Sequence, residues 1–492
     1  MPFSDARNQG RQCLRLDLPG NVNGKDMFTD LPDPIRSGNT GMEAAKTVTG
    51  EGNSKFGDPL PKARILRQGA QMVFWRVFTL SFGAAGSIWA ARCLGPENVG
   101  ISGMIAATVS QAVLLVELNQ NTIFVRHYKR QNSESERSDL ITAVFTFRFV
   151  LCLALALAAG FILLSIGIPP KWQIAVLAGA PLLFFSCNQS SWALQAQENL
   201  PASYKAIAIP SIISACLYFS FFRSGIGPGS DVIVLAAGQA LTFVLGWRYA
   251  LHGRRLRLVR WNFLPRMAPL LKEGRWLVLT GFVFYLYTSF DIPLTGYLLP
   301  LHDLGQYRAA AKLAAVAQSF LSMAPLLLYP RLIEWSNVGA AYLWRKERDI
   351  IIASFCVLAP LSGLIFFLAP LLIRMTYGPA FFEAAAPCAL LLCARFLGAI
   401  RGVLCCGLWA QNQDKVVTGL FTAVAAASLV LYLILIPRMG IRGAALVSLL
   451  GEALVVIGAF HISRVIGAGK DGGGPQPGEV AESGSRSASD RI

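Results

Sequence analysis

The 492-residue chain is poor in charge: 15% of its residues are Asp, Glu, Lys or Arg, whereas 54% are hydrophobic. Ordinary soluble domains are about a quarter charged. A chain with so few charges cannot cover a globule of this size with polar surface. The composition therefore excludes a soluble enzyme and an intrinsically disordered protein.

Acidic residues are scarcer than basic ones, with 28 Asp and Glu against 44 Lys and Arg, a net charge of +16 and a pI near 9.6. Proteins that bind nucleic acids cluster their Lys and Arg on a hydrophilic surface. Here the basic residues punctuate long apolar runs instead. This distribution predicts an integral membrane protein and no nucleic-acid partner.

Motifs of metal and catalytic sites are also missing. The ten cysteines are scattered, form no CxxC pair and have no His at metal-ligand spacing, which argues against a zinc site. No Walker A, HExxH or GxSxG motif occurs. We therefore predict a protein that is not an enzyme and holds no metal or cofactor, with coupling to protons or sodium ions left open.

Long apolar runs dominate the rest of the chain. A helix needs about 20 apolar residues to cross the hydrocarbon core, and twelve such segments lie between residues 68 and 466. They are predicted at 70–91, 99–120, 140–164, 173–195, 205–223, 231–251, 276–299, 306–329, 350–373, 385–409, 415–436 and 442–463.

The spans divide six and six around a basic segment, 253–275. We predict an all-α membrane protein with lobes at 68–252 and 276–465 and a cavity between them. Residues 1–67 are polar, lack an apolar signal-peptide region, and are predicted to be a disordered cytoplasmic tail or upstream sequence from a misassigned start codon. Residues 466–492 are rich in Gly and Ser and are predicted to be a second disordered tail.

The loops that join the spans differ in their content of basic residues. One alternating set carries most of the Lys and Arg, and the other set carries few. Cytoplasmic loops hold the excess of Lys and Arg. The bias predicts that both termini are cytoplasmic and that much of the net charge reports topology.

A weak internal repeat links the two predicted lobes. The turn after the first span, Leu94–Gly100, and the turn after the seventh, Leu299–Gly305, each run from Leu through a short polar turn to Asn or Asp, an aliphatic residue and Gly. Parallel repeats of six spans are a common plan of transporters, with the substrate site between the repeats.

Four stretches resemble a known family. They are residues 90–100 (AARCLGPENVG), 290–313 (FDIPLTGYLLPLHDLGQYRAAAKL), 372–392 (LIRMTYGPAFFEAAAPCALLL) and 434–445 (ILIPRMGIRGAA). In this order they resemble the multidrug/oligosaccharidyl-lipid/polysaccharide exporter superfamily. Within it they resemble the polysaccharide transporter branch, the Wzx-type flippases.

The resemblance implies a MATE-like fold and a function. Such proteins move an undecaprenyl-diphosphate-linked oligosaccharide across the bacterial inner membrane by alternating access, for O-antigen, capsule or exopolysaccharide synthesis. The implied partners are the lipid-linked substrate and membrane lipids, with a polysaccharide polymerase and glycosyltransferases as candidate protein partners.

Charged residues inside the spans provide a test, because a charge at the bilayer centre costs about 2.5–3.5 kcal/mol on insertion scales. A diphosphate group needs cationic hydrogen-bond donors, and Arg suits it well. We predict five cations in the cavity wall: Arg76, Arg148, Lys312, Arg395 and Arg401.

Three other intramembrane charges receive different predictions. Arg308, one turn before Lys312, is predicted to be an interfacial anchor rather than a cavity residue. Glu117 and Asp291 either pair with an Arg or couple transport to an ion, and we favour the charge pair.

Two alternatives stay open. A multidrug or small-solute exporter of the same superfamily should show acidic rather than basic intramembrane residues. An O-antigen polymerase or ligase is less favoured, because it should carry a long periplasmic loop and the predicted loops here are short.

Overall fold

The computed structural model describes residues 62–117, 121–131, 133–166, 170–197, 199–223, 227, 229–251 and 264–469. Most of the predicted N-terminal tail, residues 470–492 and residues 252–263 of the predicted linker lie outside these ranges. Within them every regular element is helical and no strand occurs. The prediction of an all-α protein is confirmed for the part of the chain that the structure describes.

The first half contains α1 (Lys62–Glu117), α2 (Asn121–Arg130), α3 (Glu134–Ile166), α4 (Pro170–Cys187), α5 (Ser191–Ala196), α6 (Leu200–Phe221) and α7 (Gly229–Leu251). The second half contains α8 (Leu264–Ser289), α9 (Asp291–Leu298), α10 (Leu301–Leu321), α11 (Met323–Val338), α12 (Ala340–Thr376), a 3₁₀ turn (Pro379–Ala384), α13 (Ala385–Ala410), α14 (Asp414–Met439) and α15 (Ile441–Gly469).

Each predicted span coincides with a helix or a pair of helices. Eight helices of the described residues are long and apolar enough to cross a membrane by themselves. The fourth, seventh and eighth predicted spans are interrupted and correspond to α4–α5, α8–α9 and α10–α11. The chain is therefore a multi-pass membrane protein.

The long helix α1 contains two predicted spans, which are separated at Gly95. This residue has φ 74° and ψ 169°, a conformation that side-chain-bearing residues rarely adopt. Pro96 follows it and cannot donate a helical hydrogen bond. The Gly-Pro pair thus divides α1 into a first arm, residues 62–94, and a second arm, residues 96–117.

The exposed surface of α12 is apolar. Phe355, Val357, Leu364, Phe367 and Met375 are all more than half exposed, and Phe367 is 82% exposed. A water-soluble protein would not display such a continuous apolar face. This helix face is suited to contact with lipid chains.

The short helix α2 was not predicted from the sequence. Ile123, Phe124 and Tyr128 are buried on one side of it, while Lys129 and Arg130 are exposed on the other. Its ten residues are too few to cross a bilayer, so hydropathy over a long window does not detect it.

The two turns of the internal repeat touch each other. A side chain at Gly100 would collide with the carbonyl oxygen of Leu301, and one at Gly305 would collide with that of Pro96. Arg92 also donates hydrogen bonds to the carbonyl groups of residues 375 and 376 at the end of α12. The weak repeat in the sequence thus corresponds to a reciprocal contact that joins the two halves, between the Gly95 break of α1 and the start of α10.

Candidate functional site

A cavity of about 320 Å³ lies between α1, α6, α7 and α10. Small or hydroxyl-bearing residues on these helices keep it open, including Gly83, Ser87, Ser211, Ser214 and Gly238. The contact between the repeat turns lies at one end, since Leu94 and Val99 also line the cavity. Three helices of the first half and one of the second half form most of its wall.

Two cations of α10 line this cavity, Arg308 and Lys312. They are four residues apart, so they lie on one helix face one turn from each other. Arg308 is half-buried, and its Nη1 atom donates a 3.3 Å hydrogen bond to the carbonyl oxygen of Val99 in α1. Lys312 is exposed. The pair therefore carries two positive charges into the space between the halves.

The opposite wall carries one anion. Asp231 lies in the first turn of α7, and the hydroxyl group of Tyr218 donates a 2.7 Å hydrogen bond to its Oδ1 atom. Both residues line the cavity, as do the hydrogen-bonded amides of Gln189 and Gln239. The lining residues thus supply two cations and one anion, together with neutral polar groups that can bind hydroxyl-rich ligands.

Arg148 does not line this cavity, which corrects the prediction for this residue. Only 2% of it is exposed. Its guanidinium donates to Asn121 Oδ1 at 2.6 Å and to the carbonyl oxygen of Cys187 at 3.3 Å. It also lies 3.6 Å from Glu117 Oε1 and over the ring of Phe124. Arg148 and Glu117 thus form the charge pair that the sequence analysis favoured for Glu117, and they connect α1 with α3.

Arg401 is also buried in a pair, which corrects its prediction. Its Nε atom lies 2.7 Å from Glu452 Oε2, and both side chains are less than a tenth exposed. The rings of Phe284, Tyr287 and Phe421 surround the guanidinium with centroids 5.7–5.9 Å away. A cation held by a carboxylate and three rings is not available to a ligand. This pair ties α13 to α15.

Asp291 and Arg395 lie in the polar interior of the second half. Asp291 is buried, and its carboxylate accepts a 2.5 Å hydrogen bond from the hydroxyl group of Tyr307 and a 2.9 Å bond from the backbone N–H of Ile292. Arg395 attracts Asp291 electrostatically, and its Nε atom is buried without a hydrogen-bond partner. Neither residue lines the cavity.

Arg76 lies on the first arm of α1, half exposed and outside the cavity lining. It is seven residues before Gly83, which does line the cavity. Because two turns of helix return nearly to the same face, Arg76 lies on the cavity-facing side of α1, farther along the helix.

Potential metal ligands come together at one place among the described residues. Donor atoms of His302, Asp303 and Glu383 lie within 4.8 Å of one another. His302 and Glu383 are exposed, and exposed acidic groups often lie together without an ion. We assign no metal site to them.

Comparisons with known proteins place the chain in a family. The family described as "Polysaccharide biosynthesis protein" matches residues 75–336, more than half of the chain. The chain belongs to the polysaccharide biosynthesis protein family.

Relatives of this family member carry related names. A protein of Escherichia coli (strain K12) named as an O-antigen transporter is 21% identical over 74% of this chain and 88% of its own length. A protein of Haloferax volcanii named as a low-salt glycan biosynthesis flippase, Agl15, is 21% identical over 50% of this chain and 52% of its own length.

Solved structures share the fold of this family member. The lipid II flippase MurJ in an inward closed conformation has a TM-score of 0.65 at 15% identity, covering 81% of this chain and 87% of that one. An inward-facing multidrug resistance MATE family transporter has a TM-score of 0.58 at 14% identity, covering 81% and 96%. These similarities confirm the MATE-like fold.

Two charged residues of this family member were not predicted from the sequence, and a third has a different place from the one predicted. Arg308 was predicted to anchor at the interface, yet it lines the cavity. Asp231 was overlooked because it begins a predicted span. Glu452 was overlooked although it lies inside the twelfth span. An acid inside an apolar span, such as Glu452, indicates a buried partner for a cation.

Proposed function

We propose that this protein is a flippase that moves an undecaprenyl-diphosphate-linked oligosaccharide across the bacterial inner membrane for surface polysaccharide synthesis. The observation that carries the proposal is the Arg308–Lys312 pair on α10, which lines a cavity between the two halves. Hydrogen bonds between charged donors and phosphate are about twice as strong as neutral ones. Two adjacent cations suit the two phosphates of such a carrier.

The rest of the cavity lining is suited to the sugar part of this cargo. Gln189, Gln239 and Thr242 present amide and hydroxyl groups, which can donate to and accept from sugar hydroxyl groups. The names of the two relatives, an O-antigen transporter and a glycan biosynthesis flippase, support a glycan cargo.

We further propose that transport proceeds by alternating access between two lobes, residues 68–252 and 276–465. The reciprocal contact of the Gly100 and Gly305 turns would then be the closed periplasmic side. The bias of Lys and Arg to one set of loops supports this orientation, with both termini in the cytoplasm. The cargo would enter from the cytoplasmic side, and its lipid chain would stay in the bilayer.

A multidrug exporter of the same fold is the second candidate. Asp231 favours it, because an acidic residue in a cavity can hold a cationic drug. The two cations of α10 oppose it, since they give the wall an excess of positive charge. The charge of the cargo therefore distinguishes the two candidates: an anionic cargo fits the flippase, and a cationic one fits the exporter.

The test is complementation of a bacterial strain that lacks its own flippase of this class. We expect the wild-type chain to restore surface polysaccharide. The Arg308→Ala/Lys312→Ala variant should lose about a hundredfold or more of translocation, because two charged hydrogen bonds are worth about 1.5–3 kcal/mol each. Lipid-linked repeat units should then accumulate on the cytoplasmic side, where their sugars are protected from an external glycosidase.

The matched control is Arg331→Ala/Lys415→Ala, which removes two exposed cations outside the cavity. It should restore polysaccharide as well as the wild type does. Full rescue by the Arg308→Ala/Lys312→Ala variant would contradict the proposed site. Resistance to cationic drugs without any effect on polysaccharide would support the exporter instead.

A further inference from the structure

Glu347 is a buried acid near the start of α12 that the proposed transport site does not use. It is 0% exposed, and neither carboxylate oxygen has a hydrogen-bond partner among the described residues. It lies four residues after buried Leu343 and four before Ile351, which packs against an apolar cluster. Glu347 thus occupies a position on the inner face of α12 where an apolar residue is expected.

The neighbouring helix is shaped to receive this carboxyl group. Glu347 Oε1 occupies the place that a side chain at position 407 of α13 would fill, and Gly407 leaves that place free. Gly407 lies between Leu404 and Leu408, both 0% exposed. The carboxyl group therefore lies in a notch of an otherwise apolar helix contact.

No described cation faces this notch closely enough to form an ion pair with Glu347. The titratable groups that interact with it are the thiols of Cys405 and Cys406 on α13. Arg401, one turn before Cys405 on α13, is paired with Glu452 at 2.7 Å. The ionisable side chains on the adjoining parts of α11 and α15 are exposed: Arg331, Glu334, His461 and Arg464.

An ionised carboxylate without a partner is very costly in such surroundings, and a group of this kind becomes neutral instead. We propose that Glu347 is a proton-binding site: the contact between α12 and α13 holds its carboxyl group in the protonated form. Separation of the two helices exposes the group to water, where it releases the proton as H⁺ and becomes a carboxylate. The reverse movement takes one proton up from water.

This site differs from the two acids that the sequence indicated for ion coupling. Glu117 is paired with Arg148, and Asp291 accepts two hydrogen bonds. Glu347 has neither kind of partner in the part of the chain that the structure describes. Its neighbours Arg345, Lys346 and Arg348 belong to the predicted cytoplasmic loop that precedes span nine. We therefore propose that the proton is exchanged with water on the cytoplasmic side. Proton binding at Glu347 does not depend on the identity of the cargo.

The first experiment is infrared difference spectroscopy of the full-length protein in lipid nanodiscs at neutral pH. A protonated carboxyl group has its own C=O stretching band. The wild-type spectrum should contain this band for Glu347, and the spectrum of Glu347→Gln should lack it. Glu334→Gln removes an exposed acid on α11 and should lose only carboxylate bands. Loss of a carboxylate band in Glu347→Gln, with no protonated band lost, would overturn the proposal.

A second variant tests the notch and keeps the acid. Gly407→Ala places a methyl group where the carboxyl group lies, so Glu347 must leave the notch, and the protonated band should disappear although the residue is present. An unchanged protonated band in Gly407→Ala would show that the notch does not hold the proton and would overturn the proposal.

The pH dependence of stability provides an independent check. The unfolded chain releases this proton at neutral pH and the packed state keeps it. The midpoint of thermal unfolding of the wild type should therefore fall as the pH rises from about 6 to about 9. Glu347→Gln should remove this part of the decline, and Glu334→Gln should not. Equal pH slopes for the wild type and Glu347→Gln would contradict proton binding.

Discussion

Arg401 on α13 and the Arg308–Lys312 pair on α10 are cations inside spans of the same half, but their surroundings are opposite. Arg401 has a carboxylate at 2.7 Å and three aromatic rings around it. Arg308 and Lys312 face a cavity, and the one acid in its lining, Asp231 of α7, attracts both without a direct ion pair among the described residues. The first environment is saturated with partners, whereas the second leaves donors for a ligand. An intramembrane charge therefore indicates function only when its partners within the protein are incomplete.

The largest effect on stability is expected when one member of the saturated pair is removed. Arg401→Met leaves Glu452 buried and unpaired, and breaking a buried ion pair in this way costs about 3–5 kcal/mol. The double variant Arg401→Met/Glu452→Leu should recover most of this loss, because two apolar side chains can replace the pair. Unfolding of the purified protein in detergent, followed by heat or denaturant, measures the difference.

Lys312→Ala is the comparison variant for this measurement. Lys312 is exposed into the cavity, so its removal should change stability by less than about 1 kcal/mol. If Arg401→Met were as stable as Lys312→Ala, the division into structural and ligand-facing cations would be wrong.

Hydropathy and charge predicted the architecture well but not the partners of each charge. The twelve spans follow from runs of apolar residues, since each run must satisfy its own backbone as a helix. The Arg401–Glu452 pair joins residues 51 positions apart, and nothing local in α13 indicates which residue of α15 it meets. Arg308 illustrates the same limit, because its contact with Val99 crosses from one half to the other. Pairing between distant helices depends on tertiary packing, which one sequence does not display.

An intermediate effect is expected where the halves touch. Gly305→Ala adds a methyl group where the carbonyl oxygen of Pro96 lies, so the two turns must separate. Overpacking of this kind costs about 1–3 kcal/mol. In Gly305→Ala this cost destabilises the conformation in which the two turns are in contact. The native thiol of Cys93, half-buried two residues before the Gly95 break of α1, reports the change through faster reaction with a membrane-impermeant maleimide.

Gly363→Ala is the matched control for the turn variant, because a methyl group at that position of α12 has no atom within 4 Å. It should leave the reaction of Cys93 unchanged. Cys93→Ser identifies the labelled thiol among the other cysteines. Equal labelling in Gly305→Ala and the wild type would show that the repeat turns do not close this end of the cavity.

The smallest effect is expected for Arg76, which is neither held in a buried pair, as Arg401 is, nor part of the cavity lining, as Arg308 and Lys312 are. It is half exposed and lies outside the cavity lining, but it is on the cavity-facing side of α1. Its attraction for an approaching diphosphate acts at long range through water, and exposed charge interactions are worth about 0.2–1 kcal/mol. Arg76→Ala should therefore slow translocation in proteoliposomes by about fivefold at most. Salt screens such an attraction, so the difference from the wild type should disappear at high ionic strength, whereas the defect of Lys312→Ala should persist. A loss in Arg76→Ala as deep as that of Lys312→Ala, and insensitive to salt, would instead place Arg76 in direct contact with the cargo.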